Sequence, residues 1–164
     1  MSADDARGPV RLRRARGWIG VFIAGLVLSG LTAFPLQYET TLLRRIVEGS
    51  SWLQAVPGLR EWVVRVQEGL AATYRDYPFV AYGTDWLAFA HLVIALVFVA
   101  PWRDPIRHRW VIGFGFAACA LVLPLALICG PIRGIPWGWR LIDCSFGLFG
   151  AVPLGLAWHN TRSL

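Results

Sequence analysis

Asp85, His91, Arg133, Arg140 and Asp143 are the residues of this chain best placed to do chemistry, because each stands at or inside a long uncharged stretch. An ionisable group in such surroundings is desolvated and needs either a partner or a task. His91 would exchange a proton, Asp85 and Asp143 would act as charge partners, and Arg133 and Arg140 would clamp an anion such as a phosphate or carboxylate. Plainer roles stand beside these. Asp85 follows Gly83 and Thr84 and suits a helix N-cap. Asp143 lies three residues after Arg140 and neutralises it if the stretch is helical. His91 can donate to a backbone carbonyl of a neighbouring helix. Asp85 and His91 are six residues apart, about 240° around a helix, so they do not share a face.

The loop that carries Arg133 and Arg140, Gly-Pro-Ile-Arg-Gly-Ile-Pro-Trp-Gly-Trp-Arg over 130–140, holds three glycines and two prolines among apolar residues. That composition predicts an irregular interfacial hairpin anchored by Trp137 and Trp139. Familiar catalytic patterns do not occur: there is no GxxxxGK[ST], GxSxG or HExxH. Ser145 follows Asp143 and Cys144 without forming a nucleophile motif. Paired histidines for haem are lacking, since only His91 lies well within an uncharged stretch while His159 sits at the end of another. Cys119, Cys129 and Cys144 have neither CxxC nor His/Cys metal spacing. Cys119 reads as a small hydrophobe. Cys129 and Cys144 fit two buried thiols, or a bridge if their membrane face is oxidising. No cofactor and no metal site is expected.

The elements that must hold these residues are apolar. Of the 164 residues 56% are hydrophobic and only 16% charged, against roughly 45–50% and about 25% in soluble domains. Nine tryptophans point the same way, because indole favours the headgroup layer. Four uncharged stretches cover 17–38, 86–102, 110–132 and 144–161. A helix needs about 20 apolar residues to cross a bilayer, so the second and fourth must borrow from their flanks. The spans are placed at about 17–38, 84–102, 110–132 and 141–160, in a single membrane domain over 17–164. The fold class is therefore all-α integral membrane, with four transmembrane helices.

The segment 37–85 between the first two spans is amphipathic rather than a plain loop. Over 58–74, Leu59, Trp62, Val63, Val66 and Leu70 recur at helical spacing, while Arg60, Glu61, Arg65 and Glu68 take the other side. Glu61 and Arg65 are spaced to pair. A shorter helix over 39–47 would end at Gly49, Ser50 and Ser51. Such an external segment either covers the helix ends, the simpler reading, or presents a partner-binding face.

All sixteen basic residues are arginine, giving a net charge of +6. With both ends inside, the segments 1–16, 102–109 and 160–164 carry nine arginines in 29 residues, against seven in the 59 residues of 37–85 and 131–140. The positive-inside rule then places both termini in the cytoplasm. Residues 1–16 read as a flexible basic tail. The first apolar run is longer than a signal-peptide core and lacks an Ala-x-Ala site, so a retained helix is expected. Basic charge confined to the turns between apolar runs argues against a nucleic-acid partner. Membrane lipid is the expected partner, together with a membrane-protein partner or a second copy of the chain.

Small residues mark expected packing seams, within the bundle or between two copies of the chain: Gly25, Ser29 and Ala33, then Gly113 and Ala117, then Gly147, Ala151 and Gly155. Pro35, Pro124 and Pro153 should kink or end their helices. No internal repeat supports a transporter built from inverted halves. Two blocks, Tyr-Gly-Thr-Asp-Trp-Leu-Ala-Phe-Ala-His over 82–91 and the 130–136 stretch continued by Trp-Arg-Leu-Ile-Asp-Cys-Ser over 139–145, resemble those of small bacterial multipass membrane proteins of unknown function. The likeness covers mainly 77–153 and implies no activity. It implies the bacterial inner membrane as the setting. The expected role is a non-catalytic accessory or assembly subunit of a membrane complex. The alternative is a membrane-embedded enzyme or carrier for a lipid or quinone-like molecule at an outward-facing polar cluster.

Overall fold

The computed structural model describes residues 3–162, with side chains from Gly8 onward. Met1, Ser2, Ser163 and Leu164, which belong to the two terminal segments read above, lie outside the described residues. The chain is all-α, with four helical segments long and apolar enough to cross a membrane: Gly8–Ala33, Pro78–Arg103, Arg109–Ile132 and Trp137–Arg162. The third matches the expected 110–132 to within a residue, while the other three start or stop away from the uncharged stretches.

Helix α1 (Ala3–Ala33) takes in the arginine-rich segment, expected as an irregular tail. Arginine is a good helix former, and a helix nucleated by the apolar run extends through it at little cost. At its other end α1 stops at Ala33 rather than reaching residue 38, because Pro35 disfavours helical backbone at Phe34 and donates no hydrogen bond. The second span begins at Pro78, where the missing donor does no harm. It runs as α5 (Pro78–Val97) into the short α6 (Val99–Arg103). In the third, α7 (Arg109–Pro124) passes into a π-helical turn over Leu125–Cys129 directly after Pro124, then α8 (Gly130–Ile132). The fourth is α9 (Trp137–Arg162), which contains Pro153. The 130–140 segment is thus irregular only over 133–136, with Gly134 at φ +70°. Trp137 through Arg140 already belong to α9.

Contacts divide the chain into two compact units. The first comprises the chain up to Leu26 and from Val93 on. Its core is Ile19, Phe98, Val111, Ile112, Leu154 and Ala157, with the Phe22 and Phe98 rings 4.6 Å apart. Helices α7 and α9 touch along glycine: a Cβ on Gly147 would lie 2.5 Å from the Cys119 carbonyl oxygen, and one on Gly115 would lie 2.7 Å from both Leu154 and Phe98. The Gly147 seam is as expected. The Gly113 and Ala117 seam is not, since Gly115 carries the close approach instead.

The second unit is Val27–Leu92. Its helix α2 (Leu36–Gly49), the single turn α3 (Ser51–Gln54) and α4 (Leu59–Asp76) form a hairpin outside the spans. Val47 of α2 and Val63 of α4 are buried. Arg44 reaches Glu48 (3.0 Å), Gln67 (2.9 Å) and Glu68 (3.8 Å), and Arg60 adds a contact to Glu48 at 3.9 Å. The expected Glu61–Arg65 pair is not among these ion pairs; Arg44 pairs with Glu48 along α2, while Glu68 and Arg60 of α4 meet α2 across the hairpin. Gly58 enters α4 at φ +75°, a turn that favours glycine. On α1, Gly30 is the buried small residue, close to the Ala88 carbonyl, while Gly25 and Ser29 of the expected seam are exposed.

Outside these contacts, large apolar side chains cover the surface of the spans. Leu96 is 70% exposed, Phe149 74% and Leu121 66%. A water-soluble domain does not present contiguous faces of that kind. Hydrocarbon is the solvent that suits them.

Candidate functional site

In the second unit, α5 carries both Asp85 and His91. Because the helix starts at Pro78, Asp85 lies two turns inside it and is not its N-cap. Thr84, which was expected to open the helix, instead donates its hydroxyl to the Ala81 carbonyl (2.6 Å), a bond within the helix. His91 is half-buried, and its Nδ1 lies 2.8 Å from the Leu87 carbonyl one turn back. The ring is therefore held by its own helix, with its Cβ side beside Gly30. No bond joins Asp85 to His91. Around them, Tyr82, Trp86 and Phe89 stack edge to face at 6.1 and 6.0 Å, all exposed. That arrangement suits a helix end in the headgroup layer.

In the first unit, Arg133, Arg140 and Asp143 fall around the turn into α9. Arg133 is exposed, and its amide closes the end of α8 on the Cys129 carbonyl (3.0 Å). Arg140 is half-buried. Its aliphatic stem lies over Gly130, where a Cβ would come within 2.5 Å of Cδ, so glycine is what admits it. The guanidinium sits 4.8 Å from the Trp137 ring centre, a cation–π contact with about 0.5–1 kcal/mol of attraction where exposed and more where desolvated. The Nε is buried without a hydrogen-bond partner. Asp143 is two turns into α9 and forms no ion pair with Arg140 among the described residues. The Arg140 side chain has gone to Trp137 and Gly130 instead. Ser145 donates to the Ile142 carbonyl (2.6 Å) within its own helix.

The cysteines are free thiols: Cys144 is buried, Cys119 half-buried and Cys129 exposed. That corrects the reading of Cys129 as buried: it stands at the end of the π-helical turn with its side chain exposed. Among the described residues, no group of three His, Cys, Asp or Glu is placed to hold a metal.

Two residues outside the candidate set make contacts that their place in basic segments did not foretell. Arg109 donates to the Thr161 carbonyl and lies 5.3 Å from the Trp158 ring centre, with its Nε buried and unpartnered. Arg16 donates to the Arg103 carbonyl at 2.6 Å. Both tie one span to another, and their large sequence separations gave no local signal. Outside the spans, Arg75 grips Asp76 through two bonds (2.9 and 3.2 Å), which raises its pKa above the usual arginine value. Compared with protein-family models, with curated proteins and with solved structures, the chain finds no match in any of the three.

Proposed function

We propose that this chain is a small, non-catalytic accessory or assembly subunit of a membrane complex. The supporting observation is the outer face of the α2–α4 hairpin. Val47 and Arg44 turn one side of α2 to α4, while Tyr38, Leu42 and Ile46, at four-residue spacing, stand exposed at 71%, 46% and 51% on the opposite side. Trp52, on α3, is likewise 71% exposed. A surface of this kind, rimmed by Arg45, suits a protein partner. The inner membrane of a bacterium, with both termini cytoplasmic, is the setting in which the arginine distribution makes sense.

Extraction of the membranes in a lipid-preserving polymer, followed by native mass spectrometry, tests this. A stoichiometric protein partner, lost in Leu42→Arg and Ile46→Arg but retained in Arg75→Gln, is the expected result. A chain that runs alone, or a complex indifferent to the stripe variants, contradicts it.

A second reading, an enzyme or carrier for a lipid or quinone-like molecule, is favoured by the unpartnered Arg140 Nε. In that reading Arg133 and Arg140 hold the anionic group, and Asp143 balances charge beside them. The same spectra would then carry a bound small molecule that disappears in Arg140→Gln.

A further inference from the structure

One end of the first unit gathers arginines from all four spans. The Arg16 guanidinium donates to the Arg103 carbonyl (2.6 Å), bringing α1 to the end of α6. The Arg109 guanidinium donates to the Thr161 carbonyl, bringing the start of α7 to the end of α9. These two bonds set the α1 arginines, the 103–109 turn and the last turn of α9 at one level. Arg13, Arg14, Arg103, Arg107 and Arg162 are exposed there. Asp104, at the same turn, is occupied in accepting the Arg107 amide (3.1 Å).

Each of the four spans also carries a tryptophan within about a turn of its arginine: Trp18, Trp102, Trp110 and Trp158. Trp18, Trp102 and Trp110 are 37%, 45% and 70% exposed, while Trp158 is packed beneath Arg109. Indole settles at the boundary of headgroup and hydrocarbon, so the arginines beside it stand at phosphate depth. Helix length agrees. From Gly17 to Ala33 α1 carries no charge, a rise of about 25 Å against a hydrocarbon core of about 30 Å. On α1, Arg13 lies opposite buried Ala15 and Ile19 and therefore faces outward, toward lipid.

We infer that this end is a binding surface for anionic phospholipids, whose phosphates are held by Arg13, Arg14, Arg103 and Arg107 while the exposed tryptophans seat against the glycerol and upper acyl region. The guanidinium fork matches two phosphate oxygens. Net positive charge at this level selects lipids that carry net negative charge over zwitterionic ones. An acidic protein segment would meet the arginines but would leave the tryptophans, at the depth of the lipid itself, without their match.

The test is lipid retention by the full-length chain reconstituted in phosphatidylcholine vesicles containing a minority of phosphatidylglycerol, with bound lipids read by native mass spectrometry. Phosphatidylglycerol is expected to be enriched among the retained lipids. Each of Arg13→Gln, Arg14→Gln and Arg107→Gln should lower that enrichment, by about fivefold per charge at most. These side chains are exposed and form no hydrogen bond or ion pair among the described residues, and retained helicity in the triple variant is checked by circular dichroism. Arg60→Gln and Arg75→Gln on α4 should leave the enrichment unchanged. Enrichment unaffected by the triple variant, or reduced equally by the α4 variants, overturns the inference.

Discussion

A Cβ added to Gly147 would meet the Cys119 carbonyl oxygen at 2.5 Å, so α9 and α7 approach each other backbone to backbone at that point. In a membrane, helices gain little from burying apolar surface that lipid already covers, and such close contact supplies much of the attraction. Gly147→Ala should therefore destabilise the protein by about 1–3 kcal/mol, as overpacking against rigid backbone does. Gly113→Ala, where nothing lies within 4 Å of the new methyl, should be neutral or stabilising by up to about 1 kcal/mol. Reversible unfolding in mixed micelles would read both. Equal effects at the two positions would remove the seam from the account.

Gly115 approaches flexible atoms instead, the Phe98 ring and Leu154 Cδ1, each at 2.7 Å from its virtual Cβ. Gly115→Ala should destabilise less when Phe98 is also shortened to Leu, because the ring is what the methyl displaces. Phe98→Ala alone should cost about 3–5 kcal/mol. A double-mutant cycle would show coupling of about 0.5 kcal/mol or more between the two sites; strict additivity would contradict the contact.

The α2–α4 hairpin should depend on its apolar contact more than on its ions. Val47 is 1% exposed, and Val47→Ala removes two methyl equivalents at about 0.8 kcal/mol each. Arg44 and Glu48 are 33% and 36% exposed, so screening by water leaves Arg44→Ala at about 0.5–1 kcal/mol. Hydrogen exchange of the α4 amides would rank the two variants. A larger effect from Arg44→Ala would mean that the charges, not Val47 and Val63, hold the pair.

Cys129 should react with a small maleimide in detergent micelles much faster than Cys144, since Cys129 is exposed and Cys144 buried. Mass spectrometry of the timed reaction would separate the sites. Loss of reaction at both until a reductant is added would indicate a bridge and contradict the free thiols.

The existence of the spans was legible because charge is so costly in hydrocarbon that its absence over long runs leaves few other readings. The amphipathic hairpin was legible for the opposite reason: Leu59, Trp62, Val63, Val66 and Leu70 contrast with charged neighbours, so the buried side announces itself. Inside the spans that contrast vanishes. A helix apolar all round gives no sign of which side meets protein: Gly25 and Ser29 lie exposed within the chain while Gly30 and Gly115 carry its contacts. Helices run past the expected spans where residues end a hydropathy run without ending a helix, as at Arg16 and Pro78. Of the candidate residues, Arg140 has a half-buried side chain that stacks on Trp137 and leaves its Nε unpartnered. Its seat on Gly130 and Trp137, in place of a pair with Asp143, depends on a turn that sequence spacing does not encode.

Site-directed labelling in membranes tests the spanning of the bilayer most directly. In a background of Cys119→Ala, Cys129→Ser and Cys144→Ala, single cysteines replace Arg107, Glu68, Leu96 or Phe149, and a membrane-impermeant maleimide is applied to oriented vesicles. The account predicts that Arg107→Cys and Glu68→Cys react from opposite faces while Leu96→Cys and Phe149→Cys react from neither. Labelling of the first two from the same face, or of the last two from water, would contradict it.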